Sequence, residues 1–192
     1  KGGVFIHTAS STPNNNNFGD EDIFAKNSLL RNTVTNHIIS SEYKLIINIS
    51  SMSVYGVINT GVLFENHPTL PINLYGLSKL LSENQLSIIS NFSSFTNIIH
   101  LRLPGVISKE SRGIFIASLI EKIKNNKSIK VFSKDSLFNN ATTSYDIART
   151  IKGFIEVHEN LPKEVFLNMC SKDIQSIYEI INLLSMKLNR SF

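Results

Sequence analysis

The order of apolar and polar residues along the chain predicts strands that alternate with helices. Residues 4–7, 44–50 and 97–103 form short, continuous apolar runs rich in β-branched residues, as in strands buried on both faces of a parallel sheet. Residues 20–41 and 75–93, which lie between them, have the length of crossover helices. This βαβαβ order predicts an α/β fold with right-handed crossovers and a ligand crevice at the carboxyl ends of the strands.

The two crossover helices carry signals of where they begin and which side faces inward. The first opens with the acidic sequence GDED, which suits the positive end of a helix dipole. In the second, apolar residues recur at helical spacing and predict the side that faces the sheet. These residues are Leu77, Leu80, Leu81, Leu86, Ile88 and Ile89.

The last third of the chain has shorter elements, which predict a smaller α/β lobe. Its predicted strands lie at residues 129–132, 137–143 and 164–170. Its predicted helices are residues 112–126, a segment opened by Asp146, and a segment from Asp173 to Lys187. Aspartate is expected at these helix starts because its carboxylate accepts hydrogen bonds from free backbone N–H groups.

The composition is that of a globular protein and excludes several classes. The chain has 192 residues, of which 42% are hydrophobic and 18% charged, and no apolar run of about 18 residues that could span a membrane. The net charge of +4 could suit nucleic acid, but the lysines are scattered and no basic run alternates with aromatic residues. The single cysteine, Cys170, rules out an internal disulfide and a cysteine-based zinc cluster, and no metal site is predicted. We therefore expect a cytoplasmic protein that does not bind nucleic acid.

Polar clusters follow each of the three apolar strands, and a tyrosine–lysine pair lies in the second crossover. Tyr75 and Lys79 are four residues apart and so lie on one face of a helix. On spacing alone, this pair is more typical of an exposed helix contact in which the ring packs on the lysine stem. The serines after the second strand, Ser50, Ser51 and Ser53, could cap or line a loop. Spacing alone therefore does not assign chemistry to these residues.

Longer stretches around the pair carry a family resemblance. The sequences INISSMSVYG, ENHPTLPINLYGLSKLLSE and HLRLPGVIS, in this order, resemble the extended short-chain dehydrogenase/reductases, and specifically the NAD-dependent epimerase/dehydratase group that acts on nucleotide sugars. The later sequence LFNNATTSYDIARTI is also similar to that family, so the likeness covers nearly the whole chain. The resemblance implies a Rossmann-like doubly wound parallel sheet. Residues 1–107 would be the C-terminal part of the NAD(P)-binding domain, and residues 108–192 a substrate-binding lobe.

The chemistry implied by the resemblance needs a base that ionises near neutral pH. A sugar hydroxyl gives up its proton while the hydrogen on its carbon leaves as hydride to a nicotinamide. A free tyrosine, with a pKa of about 10, is too basic. The ammonium of Lys79, with the charge of the oxidised nicotinamide, is expected to lower the pKa of Tyr75. Tyr75 is thus the predicted base, Lys79 its tuner and a ribose ligand, and Ser51 the partner of the reacting oxygen.

The resemblance also implies contacts with the cofactor and the substrate. The predicted cofactor contacts are Ala9, Ser50, Tyr75, Lys79, Pro104, Gly105 and Val106. The predicted substrate contacts are Ser51, Ser53, Asn139 and Asn140, although the two asparagines could also be turn residues. His7 is interpreted as a strand-end histidine without a catalytic role. The family usually carries an asparagine in the first crossover helix that supports the lysine, and Asn27 and Asn32 both lie near that position.

We predict an NAD(P)-dependent epimerase or reductase that acts on a nucleotide-activated sugar, with NAD as the cofactor and NADP as the alternative. Dehydratases of this group usually place Asp-Glu after the active-site serine or threonine, whereas Met52 and Ser53 follow Ser51. The alternative function is that of a non-catalytic or truncated family member that binds a nucleotide or a protein partner. The family often dimerises through the two crossover helices, which implies a homodimer through residues 20–41 and 75–93.

One feature of the family does not occur in the sequence. The family begins with a strand, a G-x-x-G-x-x-G turn and a helix that hold the dinucleotide pyrophosphate. Here Gly2 and Gly3 precede a strand instead of following one, and residues 4–7 correspond to the fourth strand of the usual sheet. We therefore expect a fragment whose intact form continues upstream by about 50 to 70 residues, the length of the absent βαβαβ unit.

Overall fold

Strands and helices alternate along most of the chain. The computed structural model describes residues 2–13, 21–58, 61–92, 96–108 and 115–190. In chain order, the strands are β1 (Gly3–His7), β2 (Tyr43–Ser51), β3 (Asn97–Leu103), β4 (Gly105–Ile107), β5 (Leu137–Phe138), β6 (Ala141–Thr143), β7 (Glu164–Asn168) and β8 (Gln175–Ser176). The α-helices are α1 (Glu21–Ile39), α2 (Leu74–Phe92), α3 (Phe115–Lys124), α4 (Ser144–Val157) and α5 (Ile177–Leu188).

The chain divides into two compact units. The first comprises Lys1–Leu103 and Ala148–Met169, and the second comprises Pro104–Ile147 and Cys170–Phe192. The sequence-based division into residues 1–107 and 108–192 assigned Ala148–Met169 to the second lobe. These residues return to the first unit because β7 pairs with β3. The functional division into two domains stays a prediction.

The first unit is built on a parallel sheet in the strand order β1-β2-β3-β7. Strands β1, β2 and β3 are connected through α1 and α2, so the predicted βαβαβ order and α/β fold class are confirmed. In the central strands, Leu45, Ile46 and Ile47 of β2 and Ile98 and Ile99 of β3 are fully buried. Burial of each such side chain stabilises the fold by about 1.5–3 kcal/mol relative to its exposure.

Helix α2 buries only part of the apolar side that its sequence predicted. Among the residues of that predicted side, Leu86 is buried and packs with Ile38, Ile46 and Ile98, but Ile88 is 57% exposed. The buried residues of the helix are mostly small or polar: Gly76, Ser78, Lys79, Ser82, Glu83, Leu86 and Ser90. The prediction of the inward side was therefore wrong for Ile88, and it missed the buried polar residues, which find partners on β2 and on α1.

The second unit contains two small sheets and a helical core. Strands β4 and β6 pair in parallel, and β5 and β8 pair antiparallel. Helices α3 and α5 pack through Ile116, Leu119 and Ile181. The predicted strand at residues 129–132 was wrong, since that segment has irregular structure.

Two predicted helix starts in this unit were also wrong by a few residues. Asp146 lies inside the first turn of α4, where its backbone N–H and a carboxylate oxygen both hydrogen-bond to Thr143 Oγ1, at 3.0 and 2.6 Å. Asp173 does not open α5, because residues 175–176 first form β8. Ser176 caps α5 instead, in a reciprocal capping box with Glu179.

Among the described helices, none combines the length and apolar character that a membrane span requires.

Gly76 allows the first turn of α2 to approach the loop after β2 closely. A Cβ atom at this position would lie 2.4 Å from the carbonyl oxygen of Ser53 and 3.0 Å from Cβ of Pro71. We expect Gly76→Ala to lower the free energy of unfolding by about 1–3 kcal/mol, because backbone must move to admit the methyl group.

Gly153 in α4 provides the matched control, since no atom lies within 4 Å of a Cβ built there. Gly153→Ala is expected to raise the free energy of unfolding by about 0.5–1 kcal/mol through its better helix propensity. Urea denaturation followed by circular dichroism measures both variants. Equal effects of the two substitutions would contradict the close approach at Gly76.

Candidate active site

The end of β2 presents a hydroxyl group in a fixed orientation. Ser51 is buried, has extended backbone angles, and caps a short 3-10 helix at Met52–Val54. Its Oγ accepts a hydrogen bond from the backbone N–H of Ser53 at 3.1 Å and donates to Ser53 Oγ at 3.2 Å. The strand end and the turn that follows it therefore hold the Ser51 side chain in place.

The first turn of α2 brings Tyr75 to this serine. Asn73 precedes the helix, and its side-chain oxygen accepts a hydrogen bond from the backbone N–H of Gly76 at 2.7 Å, which satisfies one free donor of the helix start. The hydroxyl of Ser51 lies close enough to the phenol of Tyr75 to affect its ionisation. Burial raises the pKa of the Tyr75 phenol above its ordinary value, and the hydroxyl of Ser51 opposes this rise. The lowering of that pKa expected from Lys79 is not found in the protein alone, where the net shift is upward.

Lys79 lies one helical turn beyond Tyr75 and is only 7% exposed. Its Nζ donates to the backbone oxygen of Ile49 at 2.8 Å and lies 5.9 Å from the centroid of the Tyr75 ring. Burial lowers the pKa of Lys79 to about 8, and the negative charge of Glu83 opposes this shift. An ammonium has three donors, and within the described residues the oxygen of Ile49 takes one of them. Lys79 therefore retains capacity to hold the hydroxyl groups of a ligand.

Asn27 connects α1 to the site. Its side-chain oxygen accepts from the backbone N–H of Ser11 at 2.7 Å, and its Nδ2 donates to the backbone oxygen of Ser11 at 3.0 Å and to Ser78 Oγ at 3.1 Å. The other asparagine considered from the sequence, Asn32, is exposed. Asn27 thus ties the segment after β1 to the helix that carries Lys79, a role for which the sequence offered two candidates.

His7, at the end of β1, is a buried group whose environment the sequence did not indicate. Burial, together with the positive charge of Lys79, lowers the pKa of His7 to about 4. The imidazole is therefore neutral at physiological pH. Its position at the end of an apolar strand indicated that His7 is buried. No sequence pattern indicated that Lys79 lies near it.

The remaining predicted contacts divide between the two units. In the first, Ala9 is exposed after β1, whereas Ser50 is buried and its hydroxyl donates to Glu83 Oε1 at 2.5 Å. In the second, Pro104 precedes β4, which contains Gly105 and Val106; Asn139 is half-buried, and Asn140 is exposed. The structure brings Ser51, Tyr75 and Lys79 together within the first unit. The proposed ligand contacts of the other residues stay predictions.

Comparison with known proteins identifies a family and a shared fold. A model described as the NAD dependent epimerase/dehydratase family matches residues 2–165. No curated protein matches the chain. Among solved structures, the chain is similar to UDP-glucuronic acid 4-epimerase from Bacillus cereus in complex with NAD, with a TM-score of 0.82 and 23% sequence identity over 98% of this chain and 60% of that chain.

Two further solved structures share the fold. UDP-glucose 4-epimerase from Brucella ovis in complex with NAD gives a TM-score of 0.78 and 18% identity, over 94% of this chain and 61% of that chain. The enzyme WbmG from Bordetella bronchiseptica in complex with NAD and UDP gives a TM-score of 0.76 and 20% identity, over 98% of this chain and 57% of that chain. The chain thus spans 57–61% of the length of these proteins, and at such identities the likeness shows the fold alone.

The lowered pKa of His7 makes the free energy of unfolding depend on pH. Because the pKa falls from 6.5 in the unfolded chain to about 4 in the folded protein, the unfolded chain binds more protons between these values. The contribution is complete above pH 6.5 and is lost as the pH falls toward 4, by up to about 3 kcal/mol. We expect His7→Gln to show a shallower loss of stability over this range, measured by urea unfolding at several pH values. Parallel curves for the two proteins would contradict the buried neutral imidazole.

Proposed function

The chain belongs to the NAD dependent epimerase/dehydratase family, and on this basis we propose that it acts in NAD-dependent epimerisation or reduction of a nucleotide-activated sugar. The observation that carries the proposal is the meeting of Ser51, Tyr75 and Lys79 at the end of β2. A phenol, an ammonium and a hydroxyl in one buried cluster suit proton removal from a carbinol group.

The donors of the cluster fit a dinucleotide. Lys79 would hold hydroxyl groups of a cofactor ribose with the donors that Ile49 leaves unused. When bound, NAD supplies a nicotinamide that accepts hydride from the sugar carbon. NADP is the alternative cofactor, and Ala9, Ser50, Pro104, Gly105 and Val106 remain further candidate contacts.

Tyr75 would act as the base and Ser51 would orient the reacting hydroxyl group. The burial that raises the pKa of Tyr75 also excludes water, so a nearby positive charge has a large effect on the phenolate. Lys79 would supply part of that charge from one helical turn away. Ser53, which hydrogen-bonds Ser51, is a proposed substrate contact, and so are Asn139 and Asn140 of the second unit.

The family and the similar solved structures support UDP-sugars as the proposed substrate class. The structures from Bacillus cereus and Brucella ovis are of UDP-sugar 4-epimerases in complex with NAD, and that from Bordetella bronchiseptica contains NAD and UDP. UDP-linked hexoses and uronic acids are therefore the first substrates to test. Formation of the 4-epimer would identify an epimerase, whereas net consumption of reduced cofactor would identify a reductase.

Tyr75→Phe tests the proposed base because it removes one oxygen and keeps the ring. We expect turnover of the UDP-sugar to fall at least about 100-fold, since no other group then takes the proton. Tyr145→Phe is the control, because Tyr145 is an exposed tyrosine of the second unit. Product analysis by chromatography measures the result.

Turnover retained in Tyr75→Phe would exclude Tyr75 as the base. If the unsubstituted protein shows no turnover but binds NAD or a UDP-sugar in calorimetry, the catalytic proposal fails. The alternative function, a nucleotide- or protein-binding module, would then be favoured.

We also propose a homodimer through α1 and α2. Leu29 of α1 is 70% exposed and Ile88 of α2 is 57% exposed, and two such apolar side chains on neighbouring crossover helices suit contact with a second copy. We expect Leu29→Asp with Ile88→Asp to convert a dimer to a monomer in sedimentation experiments. Ile174→Asp, at an exposed apolar residue of the second unit, should leave the dimer intact. A monomeric unsubstituted protein would refute the proposal.

A further inference from the structure

Three turns of α2 contact three consecutive residues of β2. Tyr75 lies beside Ser51, Lys79 Nζ donates a hydrogen bond to the oxygen of Ile49, and Ser50 Oγ donates one to Glu83 Oε1. A shift of the helix along the strand would break all of them at once. The third contact involves none of the three proposed catalytic side chains, yet it fixes the same helix and the same strand end.

Glu83 is the most buried charged residue of α2, and it forms an ion pair with a buried arginine. The carboxylate is 1% exposed, and its partner Arg102 of β3 is 4% exposed. Arg102 forms a fork, in which Nε donates to Oε1 of Glu83 at 3.0 Å and Nη2 donates to Oε2 at 2.8 Å. Two parallel charge-assisted hydrogen bonds fix both the position and the orientation of the carboxylate.

The other side of the guanidinium holds the loop after β2. Arg102 Nη1 donates to the hydroxyl of Tyr55 at 2.5 Å and to the backbone oxygen of Glu65 at 3.0 Å. The guanidinium carbon also lies 4.8 Å from the centroid of the Tyr55 ring and 4.6 Å from that of Phe166. Arg102 is thus fixed by hydrogen bonds at its edge and by aromatic rings on its faces, and it cannot follow Glu83 to another position.

A structural role alone does not explain this arrangement well. Burial of a carboxylate and a guanidinium costs several kcal/mol of solvation per ion, and apolar residues of similar size often stabilise a fold as well or better. The ion pair instead fixes the carboxylate of Glu83 in a defined position, one helical turn from Lys79.

We infer that Glu83, held by Arg102 and Ser50, is a positioning residue: it sets α2 against β2 so that Tyr75 meets Ser51, and it supplies the counter-charge of Lys79. The inference rests on the proposed function for the catalytic roles of Tyr75 and Lys79. Among the described residues, two other titratable groups lie near Lys79: His7 of β1 is neutral at physiological pH, and Tyr75 lies on the same helix. The carboxylate of Glu83 is the anion that favours the lysine cation.

The titration of Lys79 in the full chain tests the inference without cofactor or turnover. Lysine labelled with ¹³C at the ε position reports the charge of each amine by NMR, and Lys79→Arg assigns the signal. In Glu83→Gln we expect the midpoint of Lys79 to fall by about one pH unit or more. The direction follows because the substitution removes the charge that opposes the effect of burial.

Glu164→Gln is the matched control. Its carboxylate also links α2 to the sheet, through hydrogen bonds to Ser87 of α2 and His100 of β3, but one helical turn further from Lys79. We expect its Lys79 midpoint to stay within about 0.3 unit of that of the unsubstituted protein. A folded Glu83→Gln protein with an unchanged midpoint, or equal shifts in both variants, overturns the inference.

A second variant tests the inference if Glu83→Gln does not fold, because that substitution leaves Arg102 without its buried counter-ion. Glu83→Gln combined with Arg102→Gln removes both charges, a change that buried pairs tolerate better than loss of one partner. The midpoint of Lys79 should again fall, by less than in Glu83→Gln, because the lost negative charge of Glu83 lowers it and the lost positive charge of Arg102 offsets part of that change. An unchanged or higher midpoint overturns the inference.

Measurement of kcat and KM tests the effect of Glu83 on the proposed reaction. In Glu83→Gln we expect kcat to fall about 10-fold or more with KM for NAD changed less than about 2-fold, since positioning affects the chemical step more than ground-state binding. Glu164→Gln should change neither constant beyond about 2-fold. No turnover in the unsubstituted protein refutes the proposed function, whereas the NMR titration still decides the role of Glu83.

Discussion

The burial of a polar helix face against the end of a parallel strand is the constraint on which the first unit depends. Helix α2 buries a lysine, a glutamate and several serines, and its lysine and glutamate pair with β2, where an aliphatic side would pack without specific partners. Such a face is stable only when each buried group is paired, because an unpaired one costs its full desolvation penalty. Glu83 and Lys79 meet this demand through Arg102, Ser50 and the backbone of β2. Pairing therefore fixes helix and strand in one relative position, which apolar packing alone would not do.

The strands could be predicted because β-branched residues in short continuous runs describe strands buried on both faces, as for residues 44–50 and 97–103. The buried polar residues of α2 could not, since the leucine pattern indicates only where apolar residues recur. Polar residues can replace them at an interface when the facing strand offers partners such as Arg102. Hydrogen bonds of neighbouring residues likewise determine where α5 begins. Residues 175–176 form β8, and Ser176 rather than Asp173 caps the helix.

Part of the candidate site was predictable because its residues are close in sequence or in a recurring pattern. Tyr75 and Lys79 share a helix face by spacing, and Ser51 ends a strand that the apolar pattern identified. Asn27 and His7 come from other elements, and only the fold brings them to Ser78 and Lys79. Their roles depend on contacts across more than 50 residues of chain in the case of Asn27 and Ser78, a distance over which no single-sequence pattern carries information. The raised pKa of Tyr75 was unpredictable for the same reason, because burial is a property of the folded surroundings.

Burial also makes the charges of the site depend on one another. It raises the pKa of Tyr75 and lowers that of Lys79, so it disfavours the phenolate and the ammonium alike. When both charges form, each stabilises the other, since opposite charges attract strongly where water is excluded. A further positive charge at such a site favours the phenolate but repels the ammonium. Glu83 offsets that repulsion, and because Arg102 and Ser50 already hold its carboxylate, no reorganisation is needed when the further charge arrives. An anion fixed in this way allows one buried cluster to keep a lysine cation and accept a second cation beside it.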